Sequence, residues 1–118
     1  LVFVRERTSG NAPLGKHQAI SHVLADISAR LESARLMVYR AASLLNNRKS
    51  PNREAAEAKL ITSELFKAMT VKLLQIHAQQ GYSIDSDIGR AQQDALASTL
   101  YSGTSEIQRN IIAAWMGC

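Results

Sequence analysis

From about residue 17 to 46, apolar side chains recur at Ile20, Leu24, Ile27, Leu31, Ala34, Val38, Ala41 and Leu45. The steps are three and four, the period of one face of an α-helix. Asp26, Arg30, Arg35 and Arg40 fall on the other faces, and Asn46-Asn47 ends the pattern. A second stripe follows at Ala58, Ile61, Leu65, Ala68 or Met69, Leu73 and Ile76, continuing to about residue 80. Ser50 is a good N-cap for it, and Pro51 is tolerated at the first helical position, where its missing N–H costs nothing. Glu54 and Glu57 suit the positive end of that helix, and Gly81 is the expected stop. Two helices of about 30 residues with so short a connection must run antiparallel.

The remaining segments complete the pattern. Residues 1–7 read as the tail of a helix whose beginning is missing, so the chain is expected to be a fragment. Residues 8–16, with Gly10, Pro13 and Gly15, read as a loop. Residues 82–86 form a turn, where Asp85 or Ser86 caps a helix over about 87–101. Gly103 breaks that helix, and Thr104 caps a last one with Ile107, Ile111, Ala114 and Trp115 on its buried face. No segment alternates as a strand does. Only two prolines and six glycines interrupt the chain, and aromatic residues are few. The expected fold is all-α: an antiparallel up-down bundle of four-helix type with its first helix truncated. Residues 1–118 are expected to form one domain around one core.

Charge and cysteine usage narrow the function. The net charge of +4 gathers at Arg5, Arg7 and Lys16 and at Arg48, Lys49 and Arg53. These are solvated loops and helix ends, or a site for a phosphate-bearing ligand. No recognition motif accompanies them, so no nucleic acid is expected. No apolar run approaches the roughly 18 residues of a membrane span. The single cysteine, Cys118, cannot form an internal disulfide, which suits a reducing, cytoplasmic setting. His17, His22 and His77 share no ligand spacing with cysteine or carboxylate, so no metal site is expected.

The polar residues at unusual places are Arg7 and Gln18 around the first loop, Gln75 beside the second apolar stripe, and Tyr101, Ser102, Thr104 and Glu106 at the last helical break. A helix N-terminus offers N–H donors to an anion, and arginine is suited to a pyrophosphate.

In this order these residues resemble the C-terminal helical domain of acyl-CoA dehydrogenases. Four pieces carry the resemblance. They are Arg7 with Leu14 and His17-Gln18-Ala19-Ile20; Leu24-Ala25-Asp26-Ile27 through Ala34-Arg35 to Ala41-Ala42; Ala55-Ala56-Glu57-Ala58-Lys59-Leu60 leading to Gln75-Ile76-His77 and Gly81-Tyr82; and Asp94-Ala95, Tyr101 and Gly103 through Ala113. The resemblance implies FAD as cofactor and oxidation of an acyl-CoA thioester to the 2,3-enoyl-CoA. A carboxylate takes the alpha proton, and the beta hydride goes to the flavin. It implies a homo- or hetero-oligomer, dimer or tetramer, and electron-transfer flavoprotein as electron acceptor. Arg7, Gln18 and Gln75 occupy positions that contact the cofactor of a neighbouring subunit, with Gln79 beside them. Thr104 and Glu106 occupy positions that contact FAD near the base, and Tyr101, Ser102 and Gly103 lie at the acyl end.

The departures are specific. Many members carry the base as a glutamate between the tyrosine and the glycine, where this chain has Ser102. A serine hydroxyl without an adjacent base does not take up an alpha proton near neutral pH. Ala78 and Gln79 replace two usual glycines, Gly10-Asn11 stands where phenylalanine-glycine is usual, and Gln93 stands where arginine is common. Two expectations follow. In one, the chain is part of an enzyme whose base lies on an earlier helix, and these 118 residues alone are inactive. In the other, it is a non-catalytic subunit or helical interaction module of a mixed oligomer.

Overall fold

The computed structural model describes residues 1–83 and 85–118. Its elements are α1 (Val2–Glu6), a hairpin of β1 (Thr8–Ser9) and β2 (Ala12–Pro13), a 3-10 turn (Leu14–Lys16), α2 (Gln18–Asn46), α3 (Asn52–His77), α4 (Gln79–Tyr82), α5 (Asp87–Ser98) and α6 (Ser105–Met116). The two apolar stripes become α2 and α3, which lie antiparallel. Arg40 at the far end of α2 meets Glu54 at the start of α3, at 3.3 Å.

Helix α3 is the centre of the bundle: α2, α5 and α6 each make their principal packing against it. Both α5 and α6 run opposite to α3. Ser98 shares a groove with Lys59 and Thr62, Ser105 bonds Glu64, and Trp115 shares a groove with Asn52. The break over 99–104 therefore lies within one layer of the bundle. Ala34, Ala56, Ala58 and Ala95 are buried with Val4 and Ile76. Small side chains at these contacts let the helix axes approach closely.

Much of the expected core is open. Leu31, Val38, Leu45, Ile61, Ile107, Ile111, Ala114 and Trp115 are exposed, Leu45 at 64% and Trp115 at 58%. The bundle is elongated, 55 × 26 × 25 Å, with a radius of gyration of 17.3 Å. A compact chain of this size has about 13.5 Å. Apolar periodicity marks a face, but burial needs a neighbour, and α2 and α6 each have principally one.

Local chemistry corrects several boundaries. Ser86 caps α5, accepting from Gly89 N at 2.9 Å, and Thr104 caps α6, accepting from Ile107 N at 3.4 Å. Ser50 does not cap α3; Pro51 takes that position with no side-chain cap. Gly81 does not stop α3. The helix ends at His77, where Ala78 turns the backbone with φ 50° and ψ −133°. Gly81 instead sits buried within α4, where a Cβ would lie 2.8 Å from His77 Cβ. The expected loop over 8–16 holds the short hairpin, with Thr8 opposite Pro13 and Ser9 opposite Ala12. Helix α5 ends at Ser98, three residues before the expected end. The turn expected over 82–86 includes position 84, which lies outside the described residues.

Candidate functional site

Two clusters hold most of the residues singled out by sequence. The first lies at the C-terminal end of α3. Arg7 is anchored through its backbone: its N–H donates to Phe3 O at 2.8 Å, and its carbonyl accepts from Leu14 N at 2.7 Å. Phe3 stacks on His77 with ring centroids 4.1 Å apart. His77 Nδ1 lies 2.8 Å from Leu73 O, which fixes the ring and leaves Nε2 free of that contact. These contacts bring α1 and the hairpin onto the end of α3. Between them opens a cleft of about 540 Å³, lined among others by Arg7, Thr8, Ser9, His77 and Gln79. Arg7 is exposed and pairs with no carboxylate among the described residues.

Gln18 and Gln75 stand outside this lining. Gln18 opens α2 on the surface, next to His17, whose Nε2 lies 3.1 Å from Ser9 O. Gln75 is exposed on the last turn of α3, not buried among apolar neighbours. It therefore needs no internal amide partner, contrary to what its place beside the stripe suggests.

The second cluster is the corner between α5 and α6. Ser102 and Gly103 both have left-handed backbone, φ 55° and 87°. Tyr101 and Ser102 are exposed, and Gly103 is half-buried. The turn is held from inside by Gln108, which is buried. Its Nε2 donates to Ser102 O at 3.2 Å and Gly103 O at 3.3 Å. A Cβ at Gly103 would lie 2.6 Å from that same nitrogen, so a larger residue there would meet strained backbone and displace the Gln108 amide.

Ser105 follows the Thr104 cap and faces inward, buried. Its hydroxyl donates to Glu64 Oε1 at 2.7 Å, tying α6 to the middle of α3. Lys67 Nζ reaches Glu64 Oε2 at 2.7 Å, and Arg109 lies 3.8 Å from Glu64 and 3.5 Å from Glu106. Hydrogen bonds from Lys67 and then from Ser105 hold the Glu64 carboxyl below the usual carboxylate range. Its own backbone N–H and then the Thr104 hydroxyl do the same for Glu106. Both groups are thus held in the charged form, which makes them weak proton acceptors.

The two clusters are well separated. Glu64 and His77 are thirteen residues apart on α3, a rise of about 20 Å. Sequence reading left Glu64, Ser105 and Gln108 out of the site. Glu64 looks like any solvated helix carboxylate, and its partner lies 41 residues away. Among the described residues no group of histidine, cysteine and carboxylate side chains can hold a metal, and no helix is long and apolar enough to cross a membrane.

Residues 1–117 match the family model for the acyl-CoA dehydrogenase C-terminal domain. The chain is 43% identical over 113 residues to the short-chain specific acyl-CoA dehydrogenase, mitochondrial, of Bos taurus, covering 96% of this chain and 27% of that protein. It is 35% identical over 114 residues to the caffeyl-CoA reductase-Etf complex subunit CarC of Acetobacterium woodii, covering 97% and 30%. The crystal structure of a FAD-dependent dehydrogenase superposes with a TM-score of 0.92 at 36% identity, over 98% of this chain and 31% of that one. The chain thus spans under a third of each of these proteins.

Proposed function

The chain belongs to the acyl-CoA dehydrogenase family, and on that premise we propose that it is the C-terminal helical domain of a FAD-dependent enzyme that oxidises an acyl-CoA to the 2,3-enoyl-CoA. The observation that carries this reading is the cleft at the end of α3. It offers the guanidinium of Arg7, which pairs with no carboxylate among the described residues and whose backbone is fixed by Phe3 and Leu14, together with the amide of Gln79 and the ring of His77. That donor set fits the pyrophosphate of a dinucleotide. Gln18 and Gln75 stand near the same end of the bundle. The corner supplies the second set: the capped N-terminus of α6 presents Thr104 and Glu106, with the exposed Tyr101 and Ser102 and the half-buried Gly103 at the acyl end. A separation of about 20 Å suits contacts to two cofactor molecules, one in each of two subunits.

When bound, FAD supplies the acceptor for the beta hydride. The chain's own residues bind and orient. Ser102 has no proton-accepting power at neutral pH, and Glu64 and Glu106 are held as ions in pairs with Lys67 and Arg109. The alpha proton therefore goes to a carboxylate outside these residues, and the 118 residues alone are inactive. We place the subunit in an oligomer, dimer or tetramer, through the open apolar stripes of α2 and α6. Its electrons pass to an electron-transfer flavoprotein, and it works in the cytoplasm.

A second reading is favoured by the same corner: with Ser102 at the base position, the subunit is a non-catalytic member of a mixed oligomer. One experiment separates the two. The full-length subunit is purified, its flavin absorption recorded, and acyl-CoA thioesters added without oxygen. Bleaching of the flavin band supports the enzyme. A retained band with no bleaching supports the non-catalytic subunit. A colourless protein that takes up no added FAD sinks the flavin reading.

A further inference from the structure

The ammonium nitrogen of Lys59, in the first half of α3, is buried and has no hydrogen-bond partner among the described residues. It pairs with no carboxylate there either. Lys59 forms part of the walls of two grooves. One, of about 350 Å³, includes Phe66, Ser98 and Tyr101; the other, of about 510 Å³, includes Ser102, Ile111 and Trp115. Both volumes suit a small-molecule chain. Tyr101 and Ser102 belong to the corner read above as the acyl end. No acidic side chain lines either groove among the described residues. The other polar groups are already engaged. Thr62 donates to Ala58 O at 2.8 Å, Ser63 to Lys59 O at 2.9 Å and Ser98 to Ala95 O at 2.7 Å. The Gln108 amide donates to Ser102 O and Gly103 O. Lys59 is thus the charged donor of both grooves, and no atom of the described chain uses it.

We propose that Lys59 is a specificity-determining residue that receives a carboxylate carried on the acyl chain, so that the subunit takes monothioesters of dicarboxylic acids. This rests on the acyl-CoA reading above. The lysine stem is flexible, and rotation of its end brings the ammonium to either groove. A carboxylate entering there supplies the counter-ion that the buried ammonium lacks. Phe66 on one side, or Ile111 and Trp115 on the other, flank the methylenes. A purely aliphatic chain fills the same space and leaves the charge unpaired, and that difference discriminates between the two.

The test uses the full-length subunit with its FAD. Binding of coenzyme A thioesters is followed, without oxygen, by the change they cause in flavin absorption. Pairs of equal carbon count are compared: succinyl-CoA with butyryl-CoA, glutaryl-CoA with pentanoyl-CoA, and adipoyl-CoA with hexanoyl-CoA. In at least one pair the carboxylated thioester should bind about tenfold more tightly, as expected for a hydrogen bond between charged groups. Lys59→Met should remove that preference, and Lys59→Arg should keep its direction. Thermal unfolding of the thioester-free proteins is the second readout. Removing an unpaired buried ammonium in Lys59→Met should leave the melting temperature unchanged or raise it. Three results would overturn the inference: no preference in any pair, a preference that survives Lys59→Met, or a lowered melting temperature in Lys59→Met, which would show that a carboxylate elsewhere in the subunit already holds Lys59. A flavin band that responds to no thioester at all would overturn the acyl-CoA reading, and this inference with it. That failure is distinct, because it appears in the unsubstituted protein with aliphatic and carboxylated chains alike.

Discussion

Gly103→Ala tests how the corner is built. Two costs follow from the structure. Alanine at φ 87° pays for left-handed backbone, about 1 kcal/mol. Its Cβ would also lie 2.6 Å from Gln108 Nε2. The amide must move, breaking its bonds to Ser102 O and Gly103 O, at about 1 kcal/mol each. The total is about 3 kcal/mol, a fall of about 2 M in the urea midpoint for a chain of this size. The assay is equilibrium urea unfolding followed by far-ultraviolet circular dichroism. The decisive comparison is the same substitution in a Gln108→Ala background. There the amide is gone, and Gly103→Ala should cost only the backbone term of about 1 kcal/mol, a coupling of about 2 kcal/mol between the two sites. Equal costs in both backgrounds would show that Gly103 and Gln108 act independently, and the account of the corner would fail.

Ala78 holds φ 50° and ψ −133°, a region that favours glycine. Ala78→Gly should therefore raise the urea midpoint, by about 1 kcal/mol of stability after the extra chain freedom of glycine is subtracted; an unchanged or lower midpoint counts against strain there. Glu64 and Glu106 have folded pKa values lowered from 4.5, so their contribution is present above that value and lost as pH falls through the folded pKa values. The urea midpoint should drop on acidification below about pH 4.5, and the drop should shrink in a Glu64→Gln, Glu106→Gln double variant. In the full-length subunit, Ser102→Glu should create dehydrogenase activity or shift the preferred acyl chain length. A substrate range and rate identical to the parent would refute the placement of Ser102 at the acyl end.

The helices were legible because spacing of three and four residues states a face directly, and Ser86 and Thr104 cap α5 and α6 as their chemistry suggests. The end of α3 was not legible. Gly81 carries the usual stop signal, but the chain turns at Ala78, where Phe3 stacked on His77 and the packing of α1 fix the backbone from outside the helix. The hairpin at 8–13 escaped because two residues per strand leave no alternation to read; the Arg7–Leu14 bond closes it. Of the site, Arg7, Gln79, Thr104 and Ser102 stood out through the family resemblance. Glu64 and Gln108 did not, because their roles depend on partners that only the folded chain brings near. The exposed stripe at Leu31, Val38 and Leu45 shows the converse: the pattern reads correctly as a face, but not as a buried one.

The arrangement of every other long helix around α3 has a kinetic consequence. No pair of long helices that omits α3 shares a principal contact, so no half of the bundle forms a core without it. Because α2 is the neighbour of α3 across a five-residue connection, the expected order has these two meet first, with the α5–α6 layer added afterwards and closed by the Ser105–Glu64 bond. Substitutions at the α2–α3 seam, such as Ala34 or Ala58, should then slow folding, while those at Ser105 or Gln108 should mainly hasten unfolding. The corner between α5 and α6 would be the last part of the bundle to assemble and the first to open.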